Sequence, residues 1–370
     1  MRKGENIYKR KDGRWEGRYF KGRHANGRIK YGYIYGKSYQ EVRKKLYEYK
    51  LMYQQILDAN GDPYLTFQEW NLRWLSEKQL EIKPSTYSSY QYKFHKYVNP
   101  IIGHISLNEL REKHGDELLK SMQENNLNAS SINNIFRLTI KCFQAAKREN
   151  KLPINPFDQV KLPKIKREKV RALTKKEQRM LEQAALSEKK EGRLPVFLSL
   201  YAGLRIGEIS ALRWENIDFE ENLIRVDSTY QRIPGNKAGE KTQLIYASSK
   251  TRSSERHIPF GNKLKQMLLE HKKYIQGEFV FAKNGHPFEP RLITYYFHKI
   301  RKRAQLPHIH FHQLRHTFAT RCLETNGDIP SVSALLGHAS TQMTLDTYAD
   351  AMLEQRIEVI LSMEKGIEID

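Results

Sequence analysis

Apolar residues alternate with polar ones over the first forty positions. They recur every three to four residues from about 65 to 150, and both periods mix after about 170. The stretch "NIYKRKDGRWEGRYF" reads as two short aromatic-rich strands around Asp12-Gly13, a strong hairpin signal, and "IKYGYIYG" supplies a third strand. Ser38, with Glu41 three residues on, has the spacing of a capping box. It predicts a helix through about Leu57, with Val42, Leu46, Tyr49 and Tyr53 on one face.

The second stretch, 63–165, reads as helical. "TFQEWNLRWL" places Phe67, Trp70, Trp74 and Leu75 on one helical face. A further helix is expected after Pro84, with Ser85 as its N-cap, and "SSINNIFRLTIKCFQAAKREN" carries a stripe of Ile132, Ile135, Phe136, Ile140 and Phe143. "KLPINPFDQVKLPKIKREKVRALTKKE" combines three prolines with a dense run of cations and reads as an interdomain linker. Thr174 then caps a new helix. "LPVFLSLYAGLRIGEISALRWENIDF" is expected as a buried helix, a glycine break and a second helix. "NLIRVDSTY", "TQLIYASS" and "RHIPF" read as short strands, and the chain is helical again after Pro287. The class expected is mainly α with small β-sheets (α+β).

Composition narrows the function. The net charge is +22 and the pI about 9.7, which points to a polyanionic partner, nucleic acid before an acidic membrane. Residues 1–62 hold 16 Lys/Arg against 7 Asp/Glu, so a three-stranded sheet rich in cations is expected to lie in a DNA groove. No run of about 18 apolar residues is present. The N-terminal stretch lacks the apolar core of a secretory signal, and Cys142 and Cys322 form no pairing pattern, which suits a cytoplasmic protein with reduced thiols.

Four places hold cations or polar donors that helix packing alone does not ask for. Arg205 follows Gly203 in an apolar helix–turn–helix region, with Glu208 spaced to pair with it. Lys250 sits at a tip between two strands. His312 and Arg315 lie one helical turn apart in "HQLRHTFATR", and "LLGHASTQMTLDTY" carries His338 and, ten residues on, Tyr348. His312 and His316 have the spacing of a zinc pair, but Arg315 would face the same way, where a metal site wants an anion. As a set, these residues suit a phosphodiester. An arginine's fork of donors matches two non-bridging oxygens, two such forks balance charge gathering on phosphorus, and a tyrosine can hold the phosphoryl group covalently.

With "GLRIGE", "HQLRHTFAT" and "LLGHASTQMTLDTY" in this order and at these spacings, the chain resembles the tyrosine site-specific recombinases, or phage-type integrases, particularly those of conjugative transposons and phages of Gram-positive bacteria. The resemblance implies three domains: an arm-type DNA-binding domain (1–62), a SAM-like core-binding domain (63–165) and a mostly helical catalytic domain with a small sheet (170–370). It implies that Arg205, Lys250, His312, Arg315 and His338 are catalytic with Tyr348 as nucleophile, without metal or other cofactor. It implies duplex DNA with core and arm sites as partner, and a homotetramer joined by exchange of a C-terminal helix bearing Leu353, Ile357, Ile360 and Leu361. An excisionase and a DNA-bending host protein are further implied partners, and the nucleoid is the implied place of action, with no membrane. Gln313 stands where the family often has aspartate, and Asp350 where histidine often follows the nucleophile. Other readings are a type IB topoisomerase, a DNA-binding protein descended from a recombinase, and a zinc hydrolase built on His308, His310, His312 and His316.

Overall fold

The computed structural model describes residues 6–23, 29–60, 65–152, 154–165, 171–235, 242–248, 255–283, 285–325, 327–338 and 340–348, with Ile360 and Met363. The chain divides into two compact units, Met1–Arg167 and Glu168–Asp370.

In the first unit, β1 (Ile7–Lys9), β2 (Trp15–Arg23) and β3 (Ile29–Gly36) form an antiparallel sheet in sequence order. The Asp12-Gly13 turn forms as expected. Gly13 adopts φ +83°, and the Asp12 carboxylate accepts the Arg14 N–H at 3.1 Å. Helix α1 (Tyr39–Asn60) starts where Ser38 Oγ accepts the Glu41 N–H at 3.1 Å, while the Glu41 carboxylate reaches the Lys37 N–H at 2.8 Å. Ile7, Ile34, Val42 and Leu46 make a small core. Tyr49 stays 40% exposed rather than joining it, and the Tyr53 side chain lies outside the described residues.

The same unit contains α2 (Phe67–Lys78), α3 (Pro84–Lys93), α4 (Asn99–Ile102), α5 (Glu112–Glu124) and α6 (Ala129–Arg148). Thr66 and Glu69 close a reciprocal capping box on α2. Pro84 is itself the first residue of α3, with Lys83 as N-cap, so Ser85 is not the cap. A proline's fixed φ suits that first position, where no N–H partner is needed. The aromatic stripe is the core: Phe67, Trp70, Trp74, Phe136 and Phe143 are buried together, with Ile140 packed at the edge. The linker expectation is corrected over its first half. Phe157 is buried with its ring 5.0 Å from that of Phe143, and Leu152, Val160 and Leu162 pack on the same cluster. Pro156 and Pro163 lie among these anchors and do not keep the segment off the core.

In the second unit, α7 (Lys175–Leu186) begins at a Thr174–Glu177 capping box. Helix α8 (Lys190–Ala202) is followed by Gly203 and α9 (Ile206–Ala211). Strands β4 (Ile217–Asp218), β5 (Leu223–Val226) and β8 (Arg256–Pro259) make one sheet, and β6 (Ser228–Pro234) pairs with β7 (Thr242–Ser248) in a separate ribbon. "NLIRVDSTY" is therefore two strands, not one. Lys250 lies outside the described residues. The strands before and after it, β7 and β8, pair with different partners. Helices α10 (Asn262–Lys272), α11 (Pro290–Arg303), α12 (Phe311–Glu324), α13 (Ile329–Leu336) and α14 (Thr341–Tyr348) complete the unit around a core from Leu173 to Leu314. No described helix is long and apolar enough to cross a membrane.

Candidate active site and nucleic-acid interface

Two helix C-termini meet at Arg315. Helix α8 is closed by Gly203 (φ +64°) and α13 by Gly337 (φ +60°), both left-handed caps. The last carbonyls of a helix lack intrahelical partners and carry its negative dipole end. Arg315, only 2% exposed, uses both: it donates to the Gly203 carbonyl at 2.5 Å and to the Leu336 carbonyl. A buried guanidinium is thus held by backbone dipoles from two helices.

Immediately after Gly203, Arg205 starts α9 and keeps its side chain 40% exposed. Its Nη1 donates to Glu208 Oε1 at 2.8 Å and its backbone N–H donates to Glu208 Oε2 at 2.8 Å. The Arg–Glu pair expected as a structural alternative is present, but it does not bury Arg205. Glu208 has a second cation: Arg256 donates to Oε1 at 3.0 Å and to Oε2 at 2.8 Å. Burial pushes the Glu208 carboxyl up, yet Arg256 and Arg205 outweigh it and hold it down at about 2.

Three histidines surround these cations. The His312 and His316 rings meet edge to face at 4.7 Å. Desolvation first, then Arg315 and Arg205, draw His312 below its ordinary value. Desolvation, His312 and Arg315 bring His316 to about 4. His338 is likewise brought to about 4, by desolvation and then by Arg315, Arg205, His316 and Arg256. The shifts favour the neutral imidazole at all three, which can exchange hydrogen bonds or accept a proton. His338 Nδ1 lies 2.8 Å from the hydroxyl of buried Thr344, which ties it to α14. Tyr348 closes that helix one turn further on, and its side chain lies outside the described residues.

The structure therefore brings Arg205, His312, Arg315 and His338 into one electrostatic cluster beside α14. His316, read from its spacing as the second member of a zinc pair, belongs to the same cluster. His308 points elsewhere, lying 4.0 Å from Glu177, and among the described residues no group of three His, Cys, Asp or Glu could hold a metal ion. Gln313 accepts the His310 N–H at 2.6 Å and donates to the Arg171 carbonyl at 3.3 Å, a capping role in place of the aspartate often found there. Sequence reasoning missed Arg256 and Thr344. For Arg256 a signal existed: in "RHIPF" it shares the alternating buried face with Ile258 and Phe260, an odd place for an unpaired cation.

A second basic surface lies on the three-stranded sheet. Tyr8, Tyr33 and Tyr35 are exposed, with the Arg18 guanidinium 5.4 Å from the Tyr8 ring and 5.6 Å from Tyr33. Arg10 and Arg14 stand 5.5 and 5.8 Å from the Tyr35 ring. Buried Glu16 holds Arg10 at 2.8 Å and Arg18 at 3.1 Å, so the cations are arrayed across one face.

Residues 171–354 match the phage integrase family, and residues 66–123 match the N-terminal SAM-like domain of phage integrases. A tyrosine recombinase XerC-like protein of Caldanaerobacter subterraneus is 24% identical over 365 residues, spanning 92% of this chain and 93% of that protein. The transposase of transposon Tn916 from Enterococcus faecalis is 26% identical over 294 residues, 71% of this chain and 69% of its own. Among solved structures, the Tn1549 transposon integrase in complex with circular intermediate DNA superposes with a TM-score of 0.69 at 22% identity, covering 81% of this chain and all of that one. A lambda integrase dimer bound to a core site gives 0.61 at 20% identity over 100% and 98% of the two chains, so the fold is shared. The chain belongs to the phage integrase family: it is a tyrosine recombinase, an enzyme that cleaves and rejoins DNA strands. Within that family it resembles the integrases of Gram-positive conjugative transposons.

Proposed function

We propose that this site-specific recombinase integrates and excises its mobile element with Tyr348 as nucleophile and Arg205, Lys250, His312, Arg315 and His338 as its catalytic partners. The observation that carries the reading is the convergence of Arg205, Arg315, His312 and His338 beside the helix that ends in Tyr348. The Tyr348 phenolate oxygen bonds to the scissile phosphorus and expels the 5′ oxygen, which leaves as a hydroxyl with a proton from Lys250. The product is a 3′-phosphotyrosyl link, which conserves the phosphodiester energy. Arg205 and Arg315 balance the charge on the non-bridging oxygens, and neutral His338 adds a hydrogen bond. Neutral His312 takes the phenol proton. A partner strand's 5′-hydroxyl then attacks the same phosphorus and returns the tyrosine, passing through a four-way junction.

In this reading residues 1–62 hold arm sites through the Arg10–Arg14–Arg18 face, 63–165 and 170–370 hold the core site, and four protomers assemble on DNA in the cytoplasm. Exchange of the C-terminal helix links them. Leu353, Ile357 and Leu361 of its apolar stripe lie outside the described residues, and Ile360 is 51% exposed. An excisionase and a DNA-bending host protein set direction. The test is a nicked suicide duplex carrying the joined ends of the element, in buffer with EDTA. A covalent protein–DNA adduct is expected, and Tyr348→Phe should abolish it. An adduct of undiminished yield in that variant would remove Tyr348 from the role.

A further inference from the structure

Arg256 joins this site from a strand, and it faces away from solvent. It leads β8 with its side chain 6% exposed, against 40% for Arg205. Nη1 and Nη2 form a fork on Glu208 at 3.0 and 2.8 Å, and Nε donates to the Leu335 carbonyl at 2.8 Å. Each nitrogen is therefore engaged with the protein.

What Arg256 joins is informative. Glu208 carries four donors, two on each oxygen, and two of them belong to Arg205. Leu335 precedes Leu336, whose carbonyl accepts from Arg315, and Gly337 and His338 follow. At Gly337 a Cβ would come 3.0 Å from Arg256 Cδ, so the turn and the arginine are packed face to face. One buried guanidinium thus spans two parts of the site that come from distant stretches of chain: the Arg205 fork on α9 and the His338 turn after α13. Lysine, a point donor on a flexible stem, cannot hold both a carboxylate fork and a carbonyl.

We propose that Arg256 is a positioning residue for strand cleavage, setting the distance and angle between Arg205 and His338 through Glu208 and the Leu335 carbonyl. The proposal rests on the reading that Arg205 and His338 hold the scissile phosphate. Misplacing either by about 1 Å costs roughly a hundredfold in rate. DNA affinity comes from many phosphate contacts elsewhere and should hardly change.

The experiment uses the full chain and the nicked duplex of the preceding section, with single-turnover adduct formation at saturating protein, binding to the intact duplex, and thermal unfolding to choose a temperature at which every variant is folded. Arg256→Lys should bind within about threefold of the parent and form the adduct about a hundredfold more slowly. Glu208→Gln keeps the shape of the carboxylate and gives an independent approach should Arg256→Lys not fold; it should show the same split between binding and rate. Because both act through one device, the double variant should be no slower than the slower single variant. A parental adduct rate in Arg256→Lys, a fall in affinity matching the fall in rate, or rate losses that multiply in the double variant would each overturn the proposal. Arg205→Lys separates the two levels. If it cleaves at the parental rate, the reading of the phosphate site fails; if it is slow while Arg256→Lys is not, only the role of Arg256 fails.

Discussion

His316 and His338 sit at about 4, against an ordinary 6.5, because they are partly desolvated beside arginines. As pH falls below 6.5 the unfolded chain takes up protons that the folded chain refuses until near 4. Their contribution to stability is complete above 6.5 and is lost progressively down to about 4. Glu208 and Glu177, held at about 2 against 4.5, add a separate loss that begins only below 4.5. Denaturant unfolding should therefore show stability dropping between pH 6.5 and 4.5, and His316→Asn combined with His338→Asn should flatten that interval. A parent protein equally stable across the interval would contradict the assigned shifts. At this scale Arg205 was legible because a cation in an apolar region is out of place, and Arg315 because it falls one helical turn from His312. Arg256 was not singled out, because its strand is short and its partner lies 48 residues away in sequence.

Glycines end elements in both units, and the reason differs from one to the next. Gly13 and Gly203 both take a left-handed backbone, at φ +83° and +64°. A Cβ on Gly13 would meet nothing within 4 Å, whereas on Gly203 it would come 2.5 Å from Phe318 Cδ1. Gly13→Ala should cost only the backbone term, about 1–2 kcal/mol. Gly203→Ala adds a clash in a packed region and should cost about 1–3 kcal/mol more, read from urea midpoints at unchanged slope. Equal losses in the two variants would show that Phe318 yields freely. The caps of α1 and α7 and the stripes of α2 and α6 were legible because each is local: a capping side chain answers an amide within three or four residues. The fate of 151–165 was not. Proline and lysine spacing describes how a segment bends, whereas the burial of Phe157 against Phe136 and Phe143 depends on a helix already formed.

Over the whole molecule the dominant quantity is the charge of +22. Each phosphate neutralised on duplex DNA contributes about −0.9 to the slope of log affinity against log salt. Binding to the duplex should thus weaken steeply from 50 to 200 mM salt, by roughly 10³–10⁵ for six to ten contacts. Arg18→Ala, on the sheet face, should make the slope shallower by about 1 on DNA that includes an arm site. An unchanged slope would take that face off the DNA.

By itself the sequence determined the class of elements, their order, the polyanionic partner and the residue types of the proposed phosphate site. Those follow from period, capping and charge, which act over a few residues or over the total. Tertiary structure decided how the site is held together. Gly203, Arg205 and Glu208 come from one stretch, Arg256 from a strand about fifty residues on, Arg315 from α12, and Leu335, Leu336 and His338 from the end of α13. Only packing brings two helix C-termini to one guanidinium and places a carboxylate between two others. Backbone carbonyls have no identity in a sequence, so their role as partners of buried arginines is visible only once the chain is folded.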